Sequence, residues 1–183
     1  MKLYTRRGDD GGTDLFAGQR TTKTDPRIIA IGEVDETNAA IGLAISACDA
    51  GELKDILLDL QRRLFDLGAD LATPDQDKPR RITQTHIEQL EHQIDAACAE
   101  LPPMKHFILP GGCELAARLH LARTVCRRAE RACVALQQSN PRNTAPRNTA
   151  HTLIFLNRLS DLLFALARLA NQQAGVNDIP WTG

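Results

Sequence analysis

An all-α fold, an up-and-down bundle of five helices, is what this 183-residue chain predicts, and three observations carry that prediction. Ala and Leu supply the apolar share of the composition, while only seven residues are aromatic, five Phe, one Trp and one Tyr. That balance favours helices over a sandwich or barrel. Apolar residues also recur at alternating spacings of three and four through most of the chain. Prolines and glycines cluster between those periodic segments and mark their ends. A chain of 20.1 kDa fits one domain, 1–183, divided into an irregular arm (1–24), a helical bundle (25–174) and a tail (175–183).

The arm is rich in Gly, Thr and charge and has no period. Asp25 suits an N-cap and Pro26 a first helical position, so the first helix starts there. Ile31, Val34, Asn38, Ile41, Ile45 and Cys48 form its core seam. A second helix runs from about Glu52 to Leu71, with Leu53, Ile56, Leu57, Leu60, Leu64, Leu67 and Leu71 on one side. Residues 72–81 hold two prolines and several charges and read as a loop. From Thr83 to about Glu100 a more polar third helix is anchored by Ile87, Leu90 and Ile94.

Leu101-Pro102-Pro103 ends that helix, and His106 to Gly112 makes an apolar loop with a tight turn. In the long fourth helix Leu115, Leu119, Ala122, Cys126, Ala129, Cys133 and Leu136 keep the alternation that bundle packing requires. Residues 141–150 repeat Pro-Arg-Asn-Thr-Ala twice, a local duplication in a linker. The fifth helix, about Thr152 to Ala174, is apolar nearly all round and belongs deep in the bundle, with Gly175 as its stop.

Composition also narrows the function. With 22 basic and 23 acidic residues the net charge is −1, which disfavours nucleic acid as the main partner. No apolar run is long enough to span a membrane, and the first ten residues lack the apolar region of an export signal, so the expectation is a cytoplasmic protein. Five cysteines, Cys48, Cys98, Cys113, Cys126 and Cys133, include no C-x-x-C and read as reduced, largely buried thiols. None of the five histidines falls in H-E-x-x-H or in the Glu-x-x-His of di-iron bundles, so a ferritin-like arrangement without a di-iron site is expected.

Chemistry gathers on two helices. Arg123, Arg127 and Glu130 span an arc of about 60° beside the fourth helix's seam, widened by Arg128 and Arg131. A solvated side explains most such clusters, yet Arg123/Arg127 and Arg127/Arg131 are like-charge i,i+4 pairs that destabilise a free helix. An anion such as a polyphosphate would offset that repulsion, because Arg forks match phosphate geometry. On the fifth helix Asn157, Asp161, Phe164 and Arg168 make a narrow stripe, either an exposed side or the lining of a cleft or subunit contact. Asn38, in the seam beside Asp35 and Glu36, either fixes register or joins an active-site network. The arm from Thr5 to Asp14, with Lys23, could bring backbone N–H groups to phosphate oxygens, although it is no P-loop and reads equally as a flexible terminus.

Three separated stretches together resemble one family. They are Tyr4-Thr5-x-x-Gly8-Asp9-Asp10-Gly11 with Val34-Asp35-Glu36-x-Asn38; Phe107 to Gly112 leading into Ala122 to Arg131; and Leu156 to Asp161 with Trp181. The order and content are similar to the ATP:cob(I)alamin adenosyltransferases of the propanediol-utilisation type, over nearly the whole chain. Arg6-Arg7 stands where that family usually has Lys-Thr, and the duplicated linker is unusual.

The resemblance implies a homotrimer with active sites between subunits. It also implies ATP with Mg²⁺ carried by its phosphates, and transfer of a 5′-deoxyadenosyl group to cobalamin in its cob(I)alamin state. Through it, Thr5, Arg6, Arg7, Gly8, Thr13, Asp14 and Lys23 are expected to wrap the nucleotide. Arg127, Arg128, Glu130, Arg131, Asn157 and Asp161 are expected around the same ATP. Asp35 is expected to pair with Arg123 across the subunit boundary, and Phe107 to sit against the lower corrin face. A cobalamin reductase or an adenosylcobalamin-dependent enzyme is a further implied partner. Two rivals remain on sequence grounds: a non-catalytic ATP- or corrinoid-sensing bundle, and a nucleic-acid binder using Arg118, Arg123, Arg127, Arg128 and Arg131. The neutral charge and the lack of stacking aromatics on that face weigh against the second.

Overall fold

The computed structural model describes residues 4–16, 18–73, 80–139 and 149–182. Within them lie a two-stranded hairpin, β1 (Gly12–Asp14) and β2 (Arg20–Thr22), and five helices. The helices are α1 (Pro26–Ile45), α2 (Glu52–Ala72), α3 (Gln84–Glu100), α4 (Glu114–Gln138) and α5 (Thr149–Gln173). Packing runs in the order α2, α1, α4, α5, α3, so α4 occupies the middle of the bundle between α1 and α5. The five-helix, all-α expectation holds. The tandem Pro-Arg-Asn-Thr-Ala stretch and most of the expected 72–81 loop lie outside the described residues.

Side-chain period explains the core. Leu119, Ala122, Cys126, Ala129 and Cys133 are fully buried along α4, and Phe155, Leu156, Leu159, Leu162 and Leu163 face them from α5. Caps set the ends. Asp25 Oδ1 accepts from Arg27 N at 2.8 Å with Pro26 at the first helical position. Gly175 takes the left-handed conformation (φ 67°) that stops α5. Asp70, almost fully buried, accepts from the backbone of Arg81 (2.9 Å) and Ile82 (3.0 Å), which fixes where α3 begins.

Four expectations need correction. The arm is not wholly irregular: β1 and β2 pair antiparallel, with Gly12 opposite Thr22 and Asp14 opposite Arg20. Three residues per strand are too few to show a period of two. The α1 seam stops at Ile45, and Cys48 lies in the turn beyond it, its backbone N bonded to Ile45 O. Helix α5 starts at Thr149, three residues before the expected Thr152. Only Cys126 and Cys133 are buried; Cys98 is exposed and Cys48 and Cys113 are half-buried. Burial pushes the Cys133 thiol up to about 12 and raises Cys126 further, so both stay protonated near neutral pH.

Candidate active site

Helix α4 sorts its arginines by direction. Arg128 points to α1, where Glu33 Oε2 accepts from its Nε at 2.5 Å and Glu36 accepts from Nη2. Those two hydrogen-bonded carboxylates hold the Arg128 guanidinium above its ordinary value. Arg118 is likewise satisfied, donating to Leu43 O at 2.6 Å and to Ser46 and Glu114. Arg123, Arg127 and Arg131 differ: among the described residues none of them forms an ion pair. Arg123 is half-buried, with Nε shielded from solvent and without a hydrogen-bond partner. Burial first, and the neighbouring Arg127 second, lower its pKa. Arg127 is exposed beside it, so this side of α4 carries positive charge that no carboxylate balances among the described residues, the kind of surface that suits an anion.

The fourth member of this face is tied to α5. Asn157 Nδ2 donates to Glu130 Oε1 at 3.2 Å, and Asn157 Oδ1 accepts from Arg158 Nη1 at 2.7 Å. Arg158 Nε continues to Glu91 Oε1 on α3 at 2.8 Å. Asp161 is exposed one turn further on. The stripe read on α5 is therefore real: from Phe155 to Asn171 its members and Arg158 are the positions that are not buried. Phe164 stands edge-on to His120 of α4, with ring centroids 5.8 Å apart.

The arm is braced from within. Lys23 Nζ donates to Gly8 O at 2.9 Å, and Arg7 pairs with Asp14 at 3.0 Å. Arg20 donates to Asp10 Oδ1 at 3.0 Å and to Arg7 O. Arg6 adopts a left-handed φ of 61°, with its guanidinium 5.7 Å from the Tyr4 ring centre. Thr5 is exposed, and Thr13 sits in β1 opposite Thr21. Among the described residues no hydrogen bond or ion pair joins this arm to Arg123, Arg127 or Arg131. Asp35 is exposed on α1 and has no ion pair with Arg123 within the chain.

At the end of the bundle Phe107 is 75% exposed, its side chain carried outward on the loop between α3 and α4. The tail pairs with that loop: Trp181 N donates to Phe107 O at 2.7 Å and Leu109 N to Ile179 O at 2.9 Å. Met104, Phe107 and Trp181 line an open cleft of about 590 Å³ there. Lys105, His106 and Thr182 complete its lining, so the cleft offers apolar rings beside polar groups, which suits a ligand with a broad apolar face and a polar edge.

A family model described as cobalamin adenosyltransferase matches residues 3–170. The chain belongs to the cobalamin adenosyltransferase family. It is 45% identical, over 188 aligned positions, to a corrinoid adenosyltransferase of Mycobacterium leprae, covering 98% of this chain and 95% of that protein. A corrinoid adenosyltransferase of Bacillus subtilis is 43% identical over 185 positions, covering 99% and 92%. A variant PduO-type ATP:corrinoid adenosyltransferase from Lactobacillus reuteri, solved in complex with cobalamin and ATP, matches with a TM-score of 0.91 at 40% identity, covering 100% of this chain and 97% of that one. The resemblance read from the three sequence stretches is therefore borne out.

Two features of this cobalamin adenosyltransferase-family chain escaped sequence reasoning. Arg20 organises the arm, and its guanidinium occupies the space where a Cβ on Gly12 would stand, 2.3 Å from Nη2. Its signal was an arginine ten residues beyond a run of aspartates, which no local pattern distinguishes from a surface charge. Asn171 is 2% exposed near the end of α5 and reaches the Gly111-Gly112 turn. In sequence it stands beside Gln172 and Gln173 at the end of α5, where a polar residue carries no distinguishing mark.

Proposed function

We propose that this protein transfers the 5′-deoxyadenosyl group of ATP to cob(I)alamin, giving adenosylcobalamin and triphosphate. The observation that carries the site is the Arg123–Arg127 face of α4, two guanidiniums with no carboxylate paired to them among the described residues, in a chain of the cobalamin adenosyltransferase family. Cob(I)alamin brings its own nucleophile. Its electron pair forms the bond to C5′ of ATP, the C5′–O bond breaks, and that pair departs with the triphosphate.

The protein's tasks are then position and charge. Arg123, Arg127 and Arg131 hold the phosphates, with Glu130 and Asn157 fixing the edge of the pocket. The arm from Thr5 to Asp14, with Lys23, covers the nucleotide, and Asp161 borders it. Arg128 contributes indirectly: its pairing with Glu33 and Glu36 ties α4 to α1 and so sets the direction in which Arg127 points. Phe107 lies against the lower corrin face, where an apolar ring excludes water and displaces a lower axial ligand.

An Mg²⁺ carried by the ATP phosphates would neutralise charge on the leaving group, beside the guanidiniums of α4. The assembly we propose is a homotrimer of single-domain subunits, with Asp35 of one meeting Arg123 of the next. Exposed helix residues such as Ile29, Leu121 and Ile154 support burial against neighbours. No described helix is long and apolar enough to cross a membrane. We place the protein in the cytoplasm, with a cobalamin reductase or an adenosylcobalamin-dependent enzyme as its partner.

The test is the absorbance change of chemically reduced cob(I)alamin on adding protein, ATP and Mg²⁺. Adenosylcobalamin formed by the wild type and lost in Arg127→Ala is the expected result. Heat protection by ATP without product would move the reading to a sensor.

A further inference from the structure

The geometry assigns Asn171 and Asp178 as positioning residues for Phe107, fastening its loop and the C-terminal tail to α5 as one unit. Phe107 itself buries little, so its own side chain does not fix where it stands. Its position comes from the backbone, and that backbone is tied at several points. Asn171 Oδ1 accepts from Cys113 N at 2.9 Å, and Nδ2 donates to Gly111 O at 3.1 Å and to Asp178 Oδ1 at 3.2 Å. Asp178 Oδ2 accepts from Arg168 Nε at 2.8 Å, and Arg168 Nη2 donates to Pro102 O at 3.1 Å.

One amide therefore touches the Gly111-Gly112 turn, the first residue before α4 and the tail, and one guanidinium holds the loop's other end. The fit is close. At Gly112, where φ is +113°, a Cβ would lie 2.0 Å from Asn171 Oδ1. The tail then closes the unit through Trp181 N to Phe107 O and Leu109 N to Ile179 O. Every side-chain bond in the cluster uses a specific donor or acceptor, so isosteric exchanges break it without changing volume.

This inference rests on the reading of Phe107 as a corrin contact, and its test separates the two. Trp181 is the single tryptophan of the chain, so its fluorescence quenching reports the tail directly, with no ligand present. In Asn171→Asp the new carboxylate still accepts from Cys113 N but opposes Gly111 O and Asp178. Quenching by acrylamide should rise, and kcat/KM for cob(I)alamin should fall by on the order of tenfold to a hundredfold, as a displaced contact group predicts. KM for ATP should stay unchanged. The exchanged pair Asn171→Asp with Asp178→Asn restores a donor opposite the acid and keeps a partner for Arg168 while Gly111 O still faces an acceptor, so it should recover part of both readouts.

If Asn171→Asp fails to fold, Asp178→Ala, in the tail beyond α5, takes its place with the same expected split. Looser Trp181 with unchanged corrinoid kinetics would overturn the inference, as would equal losses towards ATP and corrinoid. Should the wild type make no adenosylcobalamin, the proposed reaction fails. Corrinoid affinity beside Trp181 quenching then decides the positioning role, and affinity indifferent to the latch overturns it.

Discussion

The two halves of the site are finished to different degrees by their own chain. The Phe107 loop and the tail are bonded at both ends, through Asn171, Asp178 and Arg168, down to individual amide protons. The arginine face of α4 is left open, with Arg123 Nε buried and unpartnered and Arg127 beside it. On the function proposed above, the protein supplies geometry in advance for the corrin, and for the polyanion it supplies unbalanced charge and leaves neutralisation to the substrate.

The largest expected effect breaks the open half. Arg127→Ala should lose about 10² to 10³ in kcat, the usual consequence of removing one stabiliser of transition-state charge. The same change relieves like-charge pairs with Arg123 and Arg131, so the ligand-free protein should gain a few tenths of a kcal/mol. Loss of activity with a small rise in Tm is the signature to seek in paired kinetic and melting measurements. Arg128→Ala should do the reverse, lowering Tm by severing α4 from Glu33 and Glu36 while costing less in rate. Equal kinetic losses at both positions would remove the distinction between an open and a satisfied guanidinium.

Next comes the preformed half. Phe107→Ala should cripple turnover while ATP affinity stays within about twofold, since the side chain is 75% exposed and the cleft it lines includes none of the α4 arginines. Parallel losses of kcat and ATP affinity would show the two halves to be one pocket. The protein's melting temperature should barely move, because an exposed ring contributes little to the core.

These contrasts were legible in the sequence to unequal degrees, for physical reasons. Helices announce themselves by period, and the Leu119 to Leu136 seam of α4 is buried as its spacing requires. The arginine face could be read because its members are i, i+3 and i+4 neighbours, fixed by helix geometry alone. That Arg128 turns to α1 while Arg127 does not depends on Glu33 and Glu36, more than ninety residues away, and no local pattern holds it. Asn171 meets Gly111 and Cys113 across about sixty residues and was invisible for the same reason. Asn38 was ambiguous in sequence because its two ends do different things: its Nδ2 donates to Gln61 O at 3.3 Å while Gln61 Nε2 donates to Asn38 O at 3.1 Å, joining α1 to α2, and its buried Oδ1 has no partner among the described residues. The hairpin of the arm escaped because its strands are short and its fastenings are charged.

A double-mutant cycle sharpens the open half further. If Asp35 meets Arg123 between subunits, Asp35→Asn and Arg123→Gln should each cost about tenfold in kcat/KM, and the double variant should cost no more than either alone. Additive losses would place the two residues apart.

The smallest effect concerns pH and lies between the two halves, at His120. The imidazole is 3% exposed, neither ring nitrogen has a hydrogen-bond partner, and Phe164 stands against its face. Burial first, then the charge of Arg123, lower its pKa below the ordinary 6.5, against a weaker opposing pull from Asp178. As pH falls through about 6.5 the unfolded chain takes up a proton that the folded chain refuses, so stability declines on acidification. The decline ends once pH passes the lowered folded value, because both states are then protonated. His86, lowered chiefly by burial as well, adds a slope of the same sign. Melting curves between pH 7.5 and 5 should therefore show a falling Tm, and His120→Gln should flatten part of that slope while leaving the remainder due to His86. An unchanged slope would mean that the surroundings of His120 already accommodate the charged imidazolium, and with it the open half would be less starved of counter-charge than its geometry indicates.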